Sequence, residues 1–165
     1  MVRRLGLEIG ERNRGLERVG IVGIQTRGVP LAKRIRGSLG REVPFGTLDI
    51  TFYRDDFAQA GFDPQVRETD LAFDVSGMRL VLVDDVLHTG RTIRAAMDVL
   101  MDYGRPASIQ LAVLVDRGGR ELPIAPTFVG MTVAPRNDEA VRVYLSEVDA
   151  AGDAIRLVQR KETAR

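Results

Sequence analysis

The chain has 165 residues, no cysteine and a formal net charge of +1, which predicts one domain over residues 1–165 and excludes disulfide bonds and a thiol nucleophile. The near-balance of charge excludes a global basic field of the kind that drives non-specific nucleic-acid binding, so any polyanion site has to be a local patch. The longest apolar stretches fall short of the ~20 residues of a membrane span, and residues 1–6 lack the apolar core of a signal peptide, so we expect no membrane contact and a cytoplasmic location.

Strand and helix patterns alternate along the chain. Leu5 and Ile9 predict an amphipathic first helix that breaks near Asn13–Gly15. The segments that follow are strand 19–24, helix 29–39 with Pro30 in its first turn, strand 43–50, a long polar stretch 51–69, strand 79–84, helix 92–103, strand 109–115, and short strands 128–133 and 141–148. This alternation predicts an α/β fold with a parallel sheet and helices on both faces, and the two last strands are expected to form an appendage over the sheet.

The segment Val81–Ile93 carries the strongest functional signal. An apolar run leads to Asp84 and Asp85, where the strand is expected to end, and the run Thr89–Thr92 opens the next helix. Ligands of open α/β sheets bind beyond the carboxyl ends of the strands, and a helix start favours an anion. The Thr-Gly-Arg-Thr run therefore predicts a phosphate cradle, and the two acids predict binding to sugar hydroxyls or to Mg²⁺. The same residues also occur where a strand simply ends and a helix is capped.

This combination of a hydrophobic strand, paired acids and a Thr-Gly-Arg-Thr run resembles the phosphoribosyl pyrophosphate (PRPP) signature of type I phosphoribosyltransferases. The run Thr26-Arg27-Gly28 follows another strand and is expected at the same edge of the sheet. Gly28 would let the backbone turn and expose its amides, and Arg27 would offer a fork of donors to a pyrophosphate. An ordinary surface turn has the same three residues.

The polar stretch Thr51–Thr69 is long for a loop in a compact domain, and loops of this length are usually functional or disordered. It alternates basic and acidic residues and contains Gly61 and Pro64, which favours a β-hairpin lid. In ribosyl transfer a lid would keep water from an oxocarbenium-like species. A solvated hairpin without a role is the alternative.

Four segments together resemble the PyrR family, which comprises bifunctional pyrimidine operon attenuators and uracil phosphoribosyltransferases. They are residues 23–32, residues 48–56, the PRPP segment and residues 110–124. The similarity runs from about Arg4 to Val148, and the segment Asp116–Ile124 separates the PyrR family from its purine-salvage relatives. The resemblance implies a type I phosphoribosyltransferase fold with a flexible β-hairpin lid, about 51–69, and a small hood, about 116–148, that selects the base.

The resemblance also implies an activity and its residues. The activity is the formation of UMP and pyrophosphate from uracil and PRPP with Mg²⁺. The implied residues are Asp85 and Arg54 for catalysis; Asp84, Asp85, Val86, Leu87, His88, Thr89, Gly90, Arg91 and Thr92 for PRPP; Thr26, Arg27, Gly28 and Arg67 for pyrophosphate; Arg117 and Val133 for the base; and Asp84 for the metal.

The chain departs from the family at positions that affect both halves of this function. His88 replaces a tyrosine of the PRPP loop, so the reaction does not need imidazole there and Asp85 is the better candidate acid or base. Leu7 and Gly119 replace histidines, and Met131 replaces a lysine, on the family's RNA-binding face. The arginines left to bind pyrimidine operon leader RNA, weakly, are Arg3, Arg4, Arg12, Arg120 and Arg136. The family's first helix also begins about ten residues earlier, so a late start or a truncated chain is expected.

Two other functions remain open at this point. Spacing and charge do not distinguish uracil from hypoxanthine or xanthine, so a purine-base salvage phosphoribosyltransferase is one alternative. The other is a nucleotide-sensing RNA-binding regulator with little catalysis. The expected partners are PRPP, uracil, UMP and leader RNA, and the chain is expected to form a homo-oligomer.

Overall fold

The apolar runs of the chain form the central strands of a parallel sheet. The structure is a computed structural model that describes residues 1–51, 68–150 and 152–159. In chain order its elements are α1 (Val2–Arg12), β1 (Val19–Ile24), α2 (Gly28–Gly37), β2 (Phe45–Leu48), β3 (Arg79–Leu87), α3 (Arg91–Asp102), β4 (Ser108–Asp116), β5 (Phe128–Thr132), β6 (Glu139–Tyr144) and β7 (Ala154–Gln159).

Five of these strands form one sheet in the order β2-β1-β3-β4-β5, and each neighbouring pair is parallel. Parallel pairing brings the carboxyl ends of all five strands to one edge, which is where an open α/β sheet binds its ligands. Strands β6 and β7 pair antiparallel as a separate two-stranded sheet.

The placement of β5 corrects the sequence-based expectation. The sequence predicts residues 128–133 in an appendage, but Phe128 pairs with Ala112 and is 4% exposed, so the strand extends the main sheet. Only the β6–β7 pair stands outside that sheet among the described residues. Strand β7 was not predicted, because its alternation of Ile155 and Leu157 with arginine and valine is weak.

Helices cover both faces of the sheet, as predicted. On one face α1 and α2 pack through Leu5, Ile9, Leu31 and Ile35 against alternate residues of β1, β3 and β4. On the other face α3 packs against the remaining alternate residues of these strands. Burial on both faces explains why the central strands are continuous apolar runs.

The first helix ends where the sequence predicts, and a buried amide pair marks the end. Asn13 is fully buried, and its Nδ2 donates to the Ile9 carbonyl at 3.0 Å and to Gln110 Oε1 at 2.8 Å. Gln110 Nε2 donates back to Asn13 Oδ1 at 3.0 Å. These bonds fasten the end of α1 to β4 and satisfy a polar side chain inside the core.

Candidate active site

The two adjacent acids lie inside β3 rather than at its end. Strand β3 continues for three residues beyond Asp84, because Val86 and Leu87 keep pairing with Val115 and Asp116 of β4. Asp84 is only 7% exposed and Asp85 is partly buried. The prediction that the strand ends at the acids is therefore wrong, and their carboxyl groups are more enclosed than the sequence indicates.

The surroundings of the acids explain their electrostatics. Burial raises the pKa of Asp84 well above its ordinary value, and the charge of Asp85 raises it further. Burial also raises the pKa of Asp85, while the Val86 N–H and the Arg27 guanidinium act in the opposite direction. One oxygen of each carboxyl group accepts the next backbone N–H: Asp84 Oδ1 from Asp85 and Asp85 Oδ1 from Val86, each at 2.9 Å.

The acids are followed by the phosphate loop, residues 88–92, which leads into α3. Gly90 precedes the helix with φ of 93°, a left-handed conformation that favours glycine. The Arg91 N–H donates to Thr89 Oγ1 at 3.3 Å, and α3 begins at Arg91, one residue before the predicted Thr92. The first N–H groups of a helix have no acceptor within the helix, so this turn is able to bind an anion.

Arg27 lies close to the acids, as the order of the strands requires. Arg27 and Asp85 line one cavity of about 300 Å³ together with residues 140–144 of β6. The Arg27 guanidinium makes two hydrogen bonds to Asp149, from Nη2 at 2.6 Å and from Nε at 3.2 Å. Asp149 follows β6 and was not found in the sequence, because nothing local links it to a residue 122 positions away.

Gly28 is needed for a reason other than the predicted one. The residue opens α2 with an ordinary φ rather than a left-handed one, whereas a Cβ atom built on it would overlap the carbonyl oxygen of Val83. The backbone of α2 therefore passes directly against β3 just before Asp84. Gly28 sets this close approach rather than a tight turn. The peptide bond between Gln25 and Thr26, shortly before it, is cis.

The two residues expected to contact the base meet at the carboxyl end of β4. The Arg117 N–H donates to the Leu87 carbonyl at 3.0 Å, and the Val133 N–H donates to the Asp116 carbonyl at 2.9 Å. Both side chains are partly buried. Arg117 therefore lies beside β3, the strand that carries the acids, and Val133 lies on the other side of the end of β4.

Arg54, Arg67 and the part of the expected lid between residues 52 and 67 lie outside the described residues. The flanking residues on both sides are described and are joined. The Asp49 N–H donates to Thr69 Oγ1 at 3.0 Å, and Thr47 and Asp70 form an antiparallel bridge. The chain therefore leaves and rejoins the described fold at neighbouring points beside the carboxyl end of β2.

Two of the arginines expected to bind RNA are engaged within the fold. Arg4 donates to Glu8 at 2.5 Å and to the carbonyls of Val129 and Gly130 at the edge strand β5. Arg120 donates to a carboxylate and two carbonyls, and its side chain is 23% exposed. These hydrogen bonds compete with RNA for both guanidinium groups, although the Arg4 side chain is 51% exposed.

The remaining residues of that expected face are on the surface. Arg3, Arg12 and Arg136 are exposed, and Leu7 of α1 is 57% exposed. Met131 is partly buried in β5. Arg3, Arg12 and Arg136 still offer cations, while Leu7 presents an apolar side chain.

The donor set is compatible with Mg²⁺ held jointly with a substrate. Across residues 1–51, 68–150 and 152–159 there is no group of three or more His, Cys, Asp or Glu side chains that would enclose a metal. Mg²⁺ usually binds through one or two carboxylates and substrate phosphates rather than in an all-protein cage. Asp84 and Asp85 supply that number of carboxylates.

Within the described part of the chain, none of the helices has both the length and the apolar character that crossing a bilayer requires.

The five-stranded parallel sheet, the acids of β3 and the glycine-capped start of α3 define a phosphoribosyltransferase. The chain matches the family model described as phosphoribosyl transferase domain over residues 2–145. It also matches proteins named "Bifunctional protein PyrR" over most of its length, so it belongs to the PyrR family of phosphoribosyltransferases.

The relatives similar in sequence show the family of the chain, and the solved structures show its fold. A PyrR protein of Thermus thermophilus is 54% identical and covers 96% of this chain and 89% of the relative, and that of Thermus aquaticus is 57% identical and covers 88% and 83%. A solved hypoxanthine-guanine phosphoribosyltransferase from Bacillus anthracis has a TM-score of 0.66 at 17% identity, over 81% of this chain and 77% of that one. The solved structure supports the fold alone.

Proposed function

We propose that the chain transfers the ribose phosphate of PRPP to a ring nitrogen of uracil, giving UMP and pyrophosphate in the cytoplasm. The observation that carries the proposal is the position of two adjacent acids, the buried Asp84 and the partly buried Asp85, a few residues before the start of α3 in the same strand–loop–helix unit. The relationship to the PyrR proteins supports uracil as the acceptor.

The phosphate loop and the acids bind different parts of the substrate. The phosphate loop binds the 5′-phosphate through the backbone N–H groups and hydroxyls of residues 89–92, and the partial positive charge of the helix start adds to this attraction. Asp84 holds the ribose hydroxyls or the metal. Neither group forms a covalent bond with the substrate.

Asp85 acts as the acid or base near the ribose and the uracil nitrogen. Burial raises its pKa, so it is able to hold a proton closer to neutral pH than an exposed aspartate does. Arg27 shares a cavity with Asp85, and its guanidinium stabilises the negative charge that develops on the departing pyrophosphate. Thr26, Gly28 and Arg67 complete the proposed pyrophosphate site, and Arg54 is proposed to act with Arg27 in stabilising the departing charge.

Asp84 would be the protein ligand of Mg²⁺, which when bound would neutralise the charge of pyrophosphate. Arg117 and Val133, which flank the end of β4, are proposed to contact the base. Their position beside Leu87 and Asp116 is consistent with a base held over the acidic strand.

Pyrophosphate release measured with a panel of free bases tests this proposal. We expect release with uracil and PRPP and little release with hypoxanthine, guanine or xanthine. Faster release with a purine base than with uracil would identify a purine-base salvage phosphoribosyltransferase. If none of the bases supports release while UMP binds, the chain would be a nucleotide-sensing regulator.

We further propose that binding of pyrimidine operon leader RNA, the second function implied by the family resemblance, is weak in this chain. The hydrogen bonds that Arg4 and Arg120 make to groups of this chain, and the exposure of Leu7, support this part of the proposal.

A further inference from the structure

The segment 117–124, called here the hood loop, is bonded to the phosphate loop at several points. Two consecutive glycines, Gly118 and Gly119, have φ of 67° and 71° and turn the chain back after β4. The Gly118 N–H donates to Asp116 Oδ1 at 2.9 Å, which closes the turn. This turn brings Arg120 back over Asp116, four residues before it.

Arg120 uses each nitrogen of its guanidinium on a different acceptor. Nη2 donates to Asp116 Oδ2 at 2.7 Å, Nε donates to the Ile124 carbonyl at 2.9 Å, and Nη1 donates to the His88 carbonyl at 3.0 Å. The side chains of Arg120 and Asp116 are 23% and 17% exposed. A planar fork is needed to reach three acceptors in these directions, and a lysine cannot replace it.

The next carbonyl of the phosphate loop is held in the same direction. The Thr89 carbonyl accepts the N–H groups of Glu121 at 3.0 Å and of Leu122 at 3.1 Å. The peptide bonds after His88 and after Thr89 are trans, and in a trans peptide the C=O and the N–H point to opposite sides. The N–H groups of Thr89 and Gly90 are therefore directed away from the hood loop.

We propose that Arg120 is a positioning residue for the 5′-phosphate: by holding the His88 carbonyl from the side of the hood, it fixes the direction of the backbone N–H groups that receive the phosphate. This inference rests on the proposed function, which places the phosphate at residues 89–92. In this arrangement the hood loop and the phosphate loop form one connected unit. The first belongs to the hood expected to select the base, and the second is proposed to bind the sugar phosphate.

Binding of UMP and uridine to the whole protein tests the inference, because the two ligands differ only in the phosphate. Arg120→Lys keeps the charge and loses the fork, and we expect it to weaken UMP binding about tenfold while changing uridine binding less than about twofold. Arg36→Lys is the matched control. Arg36 also bonds a backbone carbonyl, that of Val43 at 2.8 Å, and a carboxylate, that of Glu42, far from the phosphate loop. The control is expected to keep the wild-type ratio of UMP to uridine affinity.

A second variant covers the case in which Arg120→Lys does not fold. Asp116→Asn leaves Arg120 in place and weakens its anchor, so we expect a loss of UMP affinity of about threefold with uridine again unchanged. If the wild type prefers UMP and both variants keep its ratio of UMP to uridine affinity, the positioning role of Arg120 is overturned. The proposed phosphate site is then retained. A wild type that does not prefer UMP would overturn the proposed phosphate site as well.

Discussion

Arg27 holds the carboxylate of Asp149 through two hydrogen bonds, of 2.6 and 3.2 Å, across 122 positions of sequence. Asp149 Oδ2 also accepts the Leu145 N–H at 2.8 Å, so the aspartate joins the start of α2 to the residues that follow β6. The arginine that faces Asp85 is thereby held on its other side by a carboxylate. The proposed pyrophosphate site therefore depends on a residue outside the main sheet.

Arg34 of α2 repeats this arrangement two turns beyond Arg27, the residue that precedes the helix. Arg34 donates to Glu147 and Asp153, with Nη2–Oε2 of 2.6 Å and Nη1–Oδ2 of 2.5 Å, and also to Ser146. Because Arg27 and Arg34 are seven residues apart, they lie on the same face of the helix. Together they fasten the β6–β7 connection to α2.

This arrangement predicts an acid-dependent contribution of Asp149 to stability. The hydrogen bond from Arg27, with that from the Leu145 N–H, lowers the pKa of Asp149 in the folded protein. A lowered folded pKa contributes stability above the unfolded value of about 3.9, and that contribution is lost as the pH falls through the folded pKa. Asp149→Asn is therefore expected to lower the urea midpoint at about pH 7 and to differ less from wild type at about pH 3.

The matched variant for this measurement is Asp138→Asn, because Asp138 is exposed near β6. It should shift the urea midpoint little at either pH. A difference between Asp149→Asn and wild type that stays constant across this pH range would show that the charge of Asp149 does not stabilise the fold.

Two glycines of α2 predict opposite effects of the same substitution. A Cβ at Gly28 would overlap the Val83 carbonyl oxygen, so Gly28→Ala should force a backbone shift and cost about 1–3 kcal/mol. A Cβ at Gly37 has no neighbour within 4 Å among the described residues, so Gly37→Ala should be neutral or stabilise the helix by up to about 1 kcal/mol. Denaturant unfolding of the two variants checks the pair, and equal effects would contradict the close approach of α2 to β3.

Much of the fold could be predicted because its signals are local. The apolar runs of β1, β3 and β4 are buried on both faces, and the pattern of α1 and α3 has helical period, so these elements were found within a few residues. Strand β5 was placed wrongly because its pairing with Ala112 depends on a partner sixteen residues earlier in the chain. The end of β3 was placed wrongly because a strand that continues to pair can carry acids in its interior.

The candidate site shows the same division. Asp84, Asp85 and Gly90 are close in sequence, so the sequence alone predicted that they share one strand–loop–helix unit. The partners of Arg27 and Arg120 were not predicted, because an ion pair or a bond to a carbonyl requires three-dimensional proximity that spacing does not record. The reason for Gly28 was also missed, since steric contact with β3 leaves no trace in the local pattern.

The assignment of Asp85 predicts a catalytic defect without loss of the fold. Asp85→Asn keeps the volume and removes the ability to exchange a proton, and we expect UMP formation to slow by about 10²-fold or more. Asp102→Asn, at the exposed end of α3, serves as the control and should keep the wild-type rate. Initial rates of UMP formation with uracil and PRPP measure both. Turnover of Asp85→Asn near that of wild type would remove Asp85 from the mechanism.

The donor set around Asp84 predicts a requirement for added metal. Because the described residues do not enclose a metal on their own, chelation should abolish UMP formation and added Mg²⁺ should restore it. Asp84→Asn should raise the Mg²⁺ concentration needed for half-maximal rate by about tenfold, since one carboxylate ligand is lost. A titration of rate against Mg²⁺ for both proteins checks this, and an unchanged midpoint would assign Asp84 to the ribose hydroxyls alone.

The last prediction is that RNA binding is weak and responds little to UMP. Specific binding of single-stranded RNA needs cations for phosphates and planar groups for bases. Arg120 is bonded within the fold, and the exposed guanidinium of Arg4 already donates to Glu8 and to two carbonyls, so Arg3, Arg12 and Arg136 are counted here as the phosphate contacts. Three phosphate contacts correspond to a log–log salt slope of roughly −2, at about 0.7 for each contact. Titration of a pyrimidine operon leader hairpin at about 0.15 M salt, where long-range attraction is screened within ~8 Å, should therefore show weak, poorly selective binding. Tight binding that UMP strengthens would mean that the bonds of Arg4 and Arg120 open to admit RNA and that the regulatory function is retained.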